Sequence, residues 1–400
     1  MASILVLGHS YLHKASASGS IERAFCEHLQ VKGVDVTVIC SDHNDMSDEG
    51  LKCTIIQSRD YQFLRFFIAI LKRVIAPDFA FLPDYTRLSW CPSAFKDACQ
   101  IIESHKIDYI LSIGIPHSTH LIAYKLKQLY GISWLAQFYD PWAGNPYRTY
   151  RFNYFKNIDI NYEFLVAQNA DILIHDSIAV ARDWKNRYGN EIAKKIINLP
   201  FVIDKRQLPA QSKHRKDGNL LIISHIGNFY PTRTSEVFIR AVSYLIECHP
   251  NYRNYLRVNY IGSVTDGEKN LISELGLSNI FQLKGTLSAD ECIKYYQRSD
   301  LFLSIDRADG DSYFFPSKIL KYFYFQKPIL GITPKGSVLD YELTKSGNYS
   351  FSHYEIKEMA LLLNNAIEDY DSVIKTVDLD YWKNFQVDNV VQKFISILPK

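Results

Sequence analysis

One rhythm constrains this chain more than anything else: short, almost wholly apolar runs alternate with stretches of helical periodicity, and the whole pattern occurs twice. Residues 3–8 (Ser-Ile-Leu-Val-Leu-Gly) form an apolar run ending in glycine, as expected of a strand buried on both faces of a parallel sheet. A small-residue loop, Ala15 to Ser20, opens a helical repeat through Ile21, Phe25 and Leu29; Gly33 ends it, and Val34–Cys40 reads as a second strand. That is a βαβ unit with a glycine loop at the carboxyl end of its first strand. Strands at 108–113, 133–138, 171–175 and 196–199, with helices at 117–130 and 177–188, continue the pattern. Residues 204–218 bury almost nothing and read as a linker. The alternation then restarts, with strands at 219–226, 257–262, 280–283, 300–305 and 329–332 and helices at 235–248, 267–276, 288–298 and 316–326. Two more helices are predicted at 354–367 and 381–398. The expected fold is α/β: two Rossmann-like, doubly wound domains facing a central cleft, one over 1–203 and one over 219–380, with the terminal helix (about 381–400) returning to the first.

Composition narrows the function classes. At ~100–200 residues per domain, 400 residues fit two domains. Lys and Arg total 45 against 43 acidic residues, a net +2, which argues against a nucleic-acid binder needing a basic face. Seven cysteines form no CxxC pair, which reads as reduced core thiols in a reducing compartment. The first residues lack a basic region and run straight into a strand, so no signal peptide is expected, and no window of 18 apolar residues occurs. Aromatic residues make up 14%, including 27 Tyr, a composition common where sugar rings are held. These features predict a cytoplasmic enzyme. Residues 59–75 are apolar and aromatic, with Arg59, Arg65, Lys72 and Arg73 as their only cations. They suit either the headgroup plane of an anionic membrane or a core-packing helix with snorkelling cations; 147–156 has the same chemistry. Peripheral attachment to the inner face of the plasma membrane is therefore a second expectation.

Five motifs follow in order: Trp134-Leu-Ala-Gln-Phe-Tyr-Asp-Pro-Trp142, Ala170-Asp-Ile-Leu-Ile-x-x-Ser177, Gly227-Asn-Phe-Tyr-x-x-Arg233, Gly285 before a helix, and Phe315-Pro-Ser-Lys318 with Lys327-Pro-Ile-Leu330. Together they resemble the GT-B glycosyltransferases, above all the retaining family 4 enzymes that build bacterial polysaccharide, lipopolysaccharide and capsule. The resemblance covers about 1–345. It implies a metal-independent hexosyltransferase needing no cofactor, with an acceptor (a glycan or lipid-linked sugar) on the first domain and a UDP- or GDP-linked sugar on the second. One position departs from the pattern: where the family carries a Glu for the donor ribose, seven residues before Pro328, this chain has Lys321. A cation cannot accept a hydrogen bond from a hydroxyl, so the ribose must be held otherwise, by Asp311 for example.

Transfer without a metal requires cations and N–H groups at the departing diphosphate. Arg233 follows a strand-end glycine, and Lys318 falls in the first turn of a helix begun by Pro316, a residue that pre-sets a helix start. The plain alternative is a pair of solvated surface cations. Asp140, at the end of an apolar strand, suits orienting or deprotonating an acceptor hydroxyl, or else caps the turn before Pro141. His117 ends another strand as a base, an acceptor contact or a simple polar helix start. The expected catalytic set is thus Asp140, His117, Arg233 and Lys318. The expected donor-binding set is Gly19, Gly227, Asn228, Arg233, Gly262, Gly285, Asp311, Ser317, Lys318 and Lys321. His9, Trp142, Arg65, Lys72 and Arg73 are the expected acceptor or membrane contacts. Asp309-Gly-Asp311 would suit a divalent metal in a GT-A transferase, but it lies in the second of two Rossmann halves and reads as incidental. A nucleotide-sugar epimerase of the same fold and a non-catalytic subunit binding a partner transferase stay open as alternatives.

Overall fold

The structure is a computed structural model that describes residues 2–13, 16–43, 46–48, 50–64, 66–67, 82–145, 148–211, 220–229, 232–307 and 312–399. The chain divides into two compact units, Met1–Asp204 with Phe385–Lys400, and Lys205–Asn384.

The first unit holds a seven-stranded, wholly parallel sheet in the order β3-β2-β1-β4-β5-β6-β7. Its strands are β1 (Ser3–Leu7), β2 (Asp35–Ser41), β3 (Thr54–Ser58), β4 (Tyr109–Gly114), β5 (Ser133–Phe138), β6 (Ile172–His175) and β7 (Ile196–Asn198). β1, β4 and β5 are almost entirely buried, which is why they read as unbroken apolar runs. Helices α1 (Ala17–Val31), α2 (Cys91–Ser104), α3 (Ser118–Tyr130), α4 (Asn153–Asn169) and α5 (Ile178–Tyr188) cover the sheet. The Ser16 hydroxyl caps α1 by accepting from the Gly19 N–H, an interaction worth about 1 kcal/mol.

The second unit repeats the design with a six-stranded parallel sheet ordered β10-β9-β8-β11-β12-β13. Here the strands are β8 (Leu221–Ile226), β9 (Leu256–Ile261), β10 (Phe281–Gly285), β11 (Leu301–Ile305), β12 (Ile329–Ile332) and β13 (Tyr349–Phe351). Its helices are α6 (Glu236–Cys248), α7 (Asp266–Glu274), α8 (Ala289–Arg298), α9 (Lys318–Tyr324), α10 (Val338–Lys345) and α11 (Ile356–Glu368). Reciprocal capping boxes start α7 (Thr265 with Glu268) and α8 (Ser288 with Glu291). In both sheets the strand order reverses beside the first strand, at β1/β4 and β8/β11. Ligands of open α/β sheets bind beyond the carboxyl ends of the strands at such a switch point.

Three expectations change. The helix predicted over 381–398 is a 3-10 turn, Tyr381–Phe385, followed by α12 (Val387–Ile397). The chain crosses between units inside that span: the Ile203 and Val387 N–H groups bond the Phe385 and Ile203 carbonyls, and α12 docks on α1 through Phe25 and Phe394, rings 5.0 Å apart. The helix predicted over 316–326 starts only at Lys318, because the Pro316 carbonyl accepts from the Ile319 N–H in a tight turn. Of residues 147–156, Tyr147 lies outside the described residues, and the rest do not form one amphipathic helix. Arg148 is held by the Pro83 carbonyl and Asp159, Tyr150 donates to Asp159, and α4 begins only at Asn153. Of the proposed linker, Lys205–Gln207 forms a 3-10 turn, and the carbonyls of Pro209 and Ala210 accept from Tyr324 and Gln297. Residues 212–219 lie outside the described residues.

Candidate active site

In the second unit, the polypeptide is cleared of side chains where β8 and β9 end. Gly227 has φ 151°, and a Cβ there would lie 2.7 Å from the Lys318 Nζ. Gly262 has φ 121°, and a Cβ there would lie 2.4 Å from the Gly227 carbonyl oxygen. The Gly262 N–H bonds the Gly285 carbonyl (2.8 Å), and the Asn228 side-chain oxygen accepts from the Ser263 N–H (3.0 Å). Three strand-end loops are therefore tied together by glycines and one amide. We expect Gly262→Ala to cost at least about 1–3 kcal/mol in chemical denaturation, since both the positive φ and the backbone contact forbid a Cβ. An unchanged unfolding midpoint would show that the loops relax freely.

The charged groups gather on this glycine floor. Lys318 lies 3.4 Å from the Nε2 of His225. His225, fully buried at the end of β8, places Nδ1 2.9 Å from the Leu303 carbonyl, so Nδ1 carries the proton and Nε2 is free to accept from the ammonium. Burial first, and then Lys318, press His225 well below its ordinary range and keep it neutral. Burial and the neighbouring Arg233 lower the Lys318 pKa to about 7, against the pull of Asp306. Arg233 reaches the Asp306 carboxyl at 3.9 Å, and Asp306 also accepts from the Thr333 hydroxyl (3.3 Å) and the Arg307 N–H (2.8 Å). Two cations, one buried carboxyl and a neutral imidazole thus share the β8/β11 switch point. His225 and Asp306 escaped the sequence reading; the only signals were a His closing an apolar strand and an Asp ending another.

Asp311 lies outside the described residues. Ser317 precedes α9 without capping it through its side chain. Lys321 is exposed, with its ammonium 5.8 Å from the centre of the Tyr296 ring. Gly19 packs within its own unit: a Cβ there would strike the Ser10 carbonyl at 2.2 Å.

In the first unit, His117 stacks flat on Trp142 (4.6 Å, 2° between planes), and His120 lies 4.3 Å from Phe138, which stacks on His175 at 5.5 Å. Trp134 donates to the Ser112 hydroxyl, which also contacts His120 Nδ1 (2.8 Å). Burial holds all three imidazoles neutral; it takes His120 down to about 3 and His175 to about 4, and presses His117 well below its usual range. His117 Nδ1 and His120 Nε2 both converge on Gly114, where a Cβ would lie 2.9 and 2.6 Å away. Asp140 is half-buried just past β5; burial raises its pKa, with His175 opposing.

Two of the expected acceptor contacts are packed against their own unit. Trp142 is fully buried, donates to Asp159 (2.9 Å), and forms the wall against which His117 lies. His9 is committed inward, bonding the buried Asp60 at 3.1 Å and meeting Trp90 edge-on. Arg65, Lys72 and Arg73 lie outside the described residues. Beside them Phe63, Phe66 and Phe67 are each more than half exposed.

At the carboxyl ends of β1, β4, β5 and β6, the buried atoms Glu22 Oε2, His117 Nδ1, His120 Nε2, Gln137 Oε1 and His175 Nε2 have no hydrogen-bond partner among the described residues. Each such atom costs ~1–3 kcal/mol, and native proteins keep few of them. Among the described residues no group of three or more His, Cys, Asp or Glu side chains is placed to hold a metal, and no helix is long and apolar enough to cross a membrane.

No family model and no curated protein matches this chain. Solved structures do. Sucrose-phosphate synthase from Thermosynechococcus elongatus is similar over 99% of this chain and 98% of its own (TM-score 0.67, 12% identity). A glycosyltransferase from Rickettsia africae matches over 99% and 97% (0.66, 15%). HepE of Anabaena, solved with UDP-glucose, matches over 100% and 99% (0.65, 14%). With two parallel Rossmann-like sheets and these likenesses along its whole length, the chain has the GT-B fold.

Proposed function

We propose that this protein is a metal-independent glycosyltransferase. It moves a hexose from a UDP- or GDP-linked donor to a glycan or lipid-linked acceptor, with retention of anomeric configuration, in bacterial surface-polysaccharide assembly. The observation that carries this reading is the Lys318 ammonium set against Gly227, with the Arg233 guanidinium close enough to disfavour its charge and itself 3.9 Å from Asp306. A departing nucleoside diphosphate develops negative charge, and pre-positioned cations in a partly desolvated site meet that charge without reorganising. His225, by accepting from Lys318, fixes where the ammonium sits. In the first unit, Asp140 orients the acceptor hydroxyl or takes its proton, a role that a raised pKa suits, and His117 offers its unpaired Nδ1 to the same substrate. HepE, of the same fold, was solved with UDP-glucose, which supports a nucleotide-sugar donor here. Exposed Phe63, Phe66 and Phe67 support peripheral contact with a membrane in the cytoplasm, where a lipid-linked acceptor would be met.

The test is turnover of UDP-, GDP- and dTDP-sugars, with and without excess EDTA. Cleavage of one donor at a rate unchanged by the chelator is the expected result. A rate abolished by EDTA and restored by Mn²⁺ would overturn metal independence. A non-catalytic subunit is the second reading, favoured by Lys321 in place of a ribose-binding carboxylate, and failure to cleave any donor would favour it. An epimerase would release a rearranged sugar with no acceptor present.

A further inference from the structure

Glu22 is a buried carboxyl, its pKa pushed up to about 8 by burial, that the proposed chemistry does not use. It sits in the second turn of α1, is 1% exposed, and faces the backbone of Gly8 immediately after β1. The space is reserved for it: a Cβ on Gly8 would lie 2.8 Å from Oε2. Among the described residues no hydrogen bond reaches that oxygen. Its charged and titratable neighbours are Arg23 and Cys26 on α1 and Tyr139 just past β5.

A buried carboxyl oxygen with no hydrogen-bond partner burdens the fold, and leucine would fill much of the same space without that burden. The feature makes sense if the missing partner arrives with a ligand. Its place supports this, because the carboxyl end of β1 at the β1/β4 switch point is where open α/β sheets bind. His117 Nδ1, His120 Nε2, Gln137 Oε1 and His175 Nε2, at that same edge of the sheet, likewise have no hydrogen-bond partner among the described residues.

We propose that Glu22 is a substrate-reading residue of the first unit, its Oε2 beside Gly8 exchanging hydrogen bonds with a sugar hydroxyl. A protonated carboxyl both donates and accepts, which matches the two-way chemistry of a hydroxyl. Burial pushes the Glu22 pKa to about 8, so the free protein holds that form at neutral pH. The proposal rests on the glycosyltransferase reading for its ligand, but not for its position.

The experiment compares wild type, Glu22→Gln and Glu22→Leu for thermal midpoint without ligand and for turnover of UDP-glucose, UDP-galactose, UDP-N-acetylglucosamine and GDP-mannose. The Leu variant should melt several degrees above wild type while its kcat/KM falls at least ten-fold. The Gln variant, which keeps a donor and an acceptor, should stay within about three-fold of wild type. A Leu variant that melts below wild type, or that keeps full turnover, would overturn the proposal. If wild type cleaves none of the four donors, the glycosyltransferase reading fails by itself. The melting comparison then still decides: a higher Leu midpoint upholds a ligand-reserved carboxyl, and a lower one refutes it.

Discussion

Lys318→Ala is expected to lower turnover at least about ten-fold with the fold intact, and Arg233→Ala to do the same, since each removes a cation that meets the leaving diphosphate. Lys318 adds a signature that Arg233 lacks. Its pKa is near 7 in the free protein because burial and Arg233 disfavour its charge. A bound diphosphate favours that charge and raises the pKa, so binding takes up a proton whenever the pH lies between the two values. Nucleoside diphosphate affinity should thus be greatest near pH 7 and fall as pH rises, by up to about ten-fold per unit until the bound-state pKa is reached. His225 does not confuse the profile, because its pKa is held well below that range. Calorimetric titration with UDP from pH 7 to 9.5 reads the slope directly, and Lys318→Met should flatten it. A flat wild-type profile, or normal turnover in Lys318→Ala, would remove Lys318 from the proposed chemistry.

The same contrast between local signal and spatial setting explains what the sequence revealed. β1, β4 and β5 announced themselves because a strand buried on both faces has no room for polar alternation. β3 and β13 did not, being short strands at the sheet edges with half-exposed residues that give neither a run nor a clean period. Arg233 and Lys318 stood out through their place near glycine and proline punctuation, and the structure brings them to one strand end. The start of α9 was misread because Pro316 pre-sets a turn as readily as a helix, and the first full turn begins two residues later. Sequence alone cannot show that Trp142 is buried with its N–H given to Asp159. Glu22 was invisible for the opposite reason: a Glu before an Arg in an amphipathic helix is the usual sign of a solvated face. Only packing against Gly8 shows it to be enclosed.

That enclosure gives the second large effect, a pH dependence of stability carried by Glu22. Its pKa rises from an ordinary 4.5 to about 8 on folding, through burial, with Arg23 only partly offsetting it. The sign follows from proton counting. Below pH 4.5 the carboxyl is neutral in both states and costs the fold nothing by its charge. Between 4.5 and 8 the unfolded chain has released the proton and the folded chain retains it, so stability declines as pH rises. Above 8 the loss is complete. At ~1.36 kcal/mol per pKa unit, the ceiling is about 4–5 kcal/mol, reduced by whatever water the site admits. Cys26 and Tyr139 lie beside it, but burial lifts both pKa values well above their ordinary ones, so neither titrates in this window. Arg23 stays charged across it. Glu22→Gln cannot titrate at this position. The stability difference between the variant and wild type should thus be near zero at pH 4, grow through neutrality and level off above pH 8. Urea unfolding of the two proteins from pH 4 to 9 measures that difference, with every other titrating group cancelling between them. A constant difference across the range would mean that Glu22 is already paired or solvated in the native state, and the case for a ligand completing it would fall with that result.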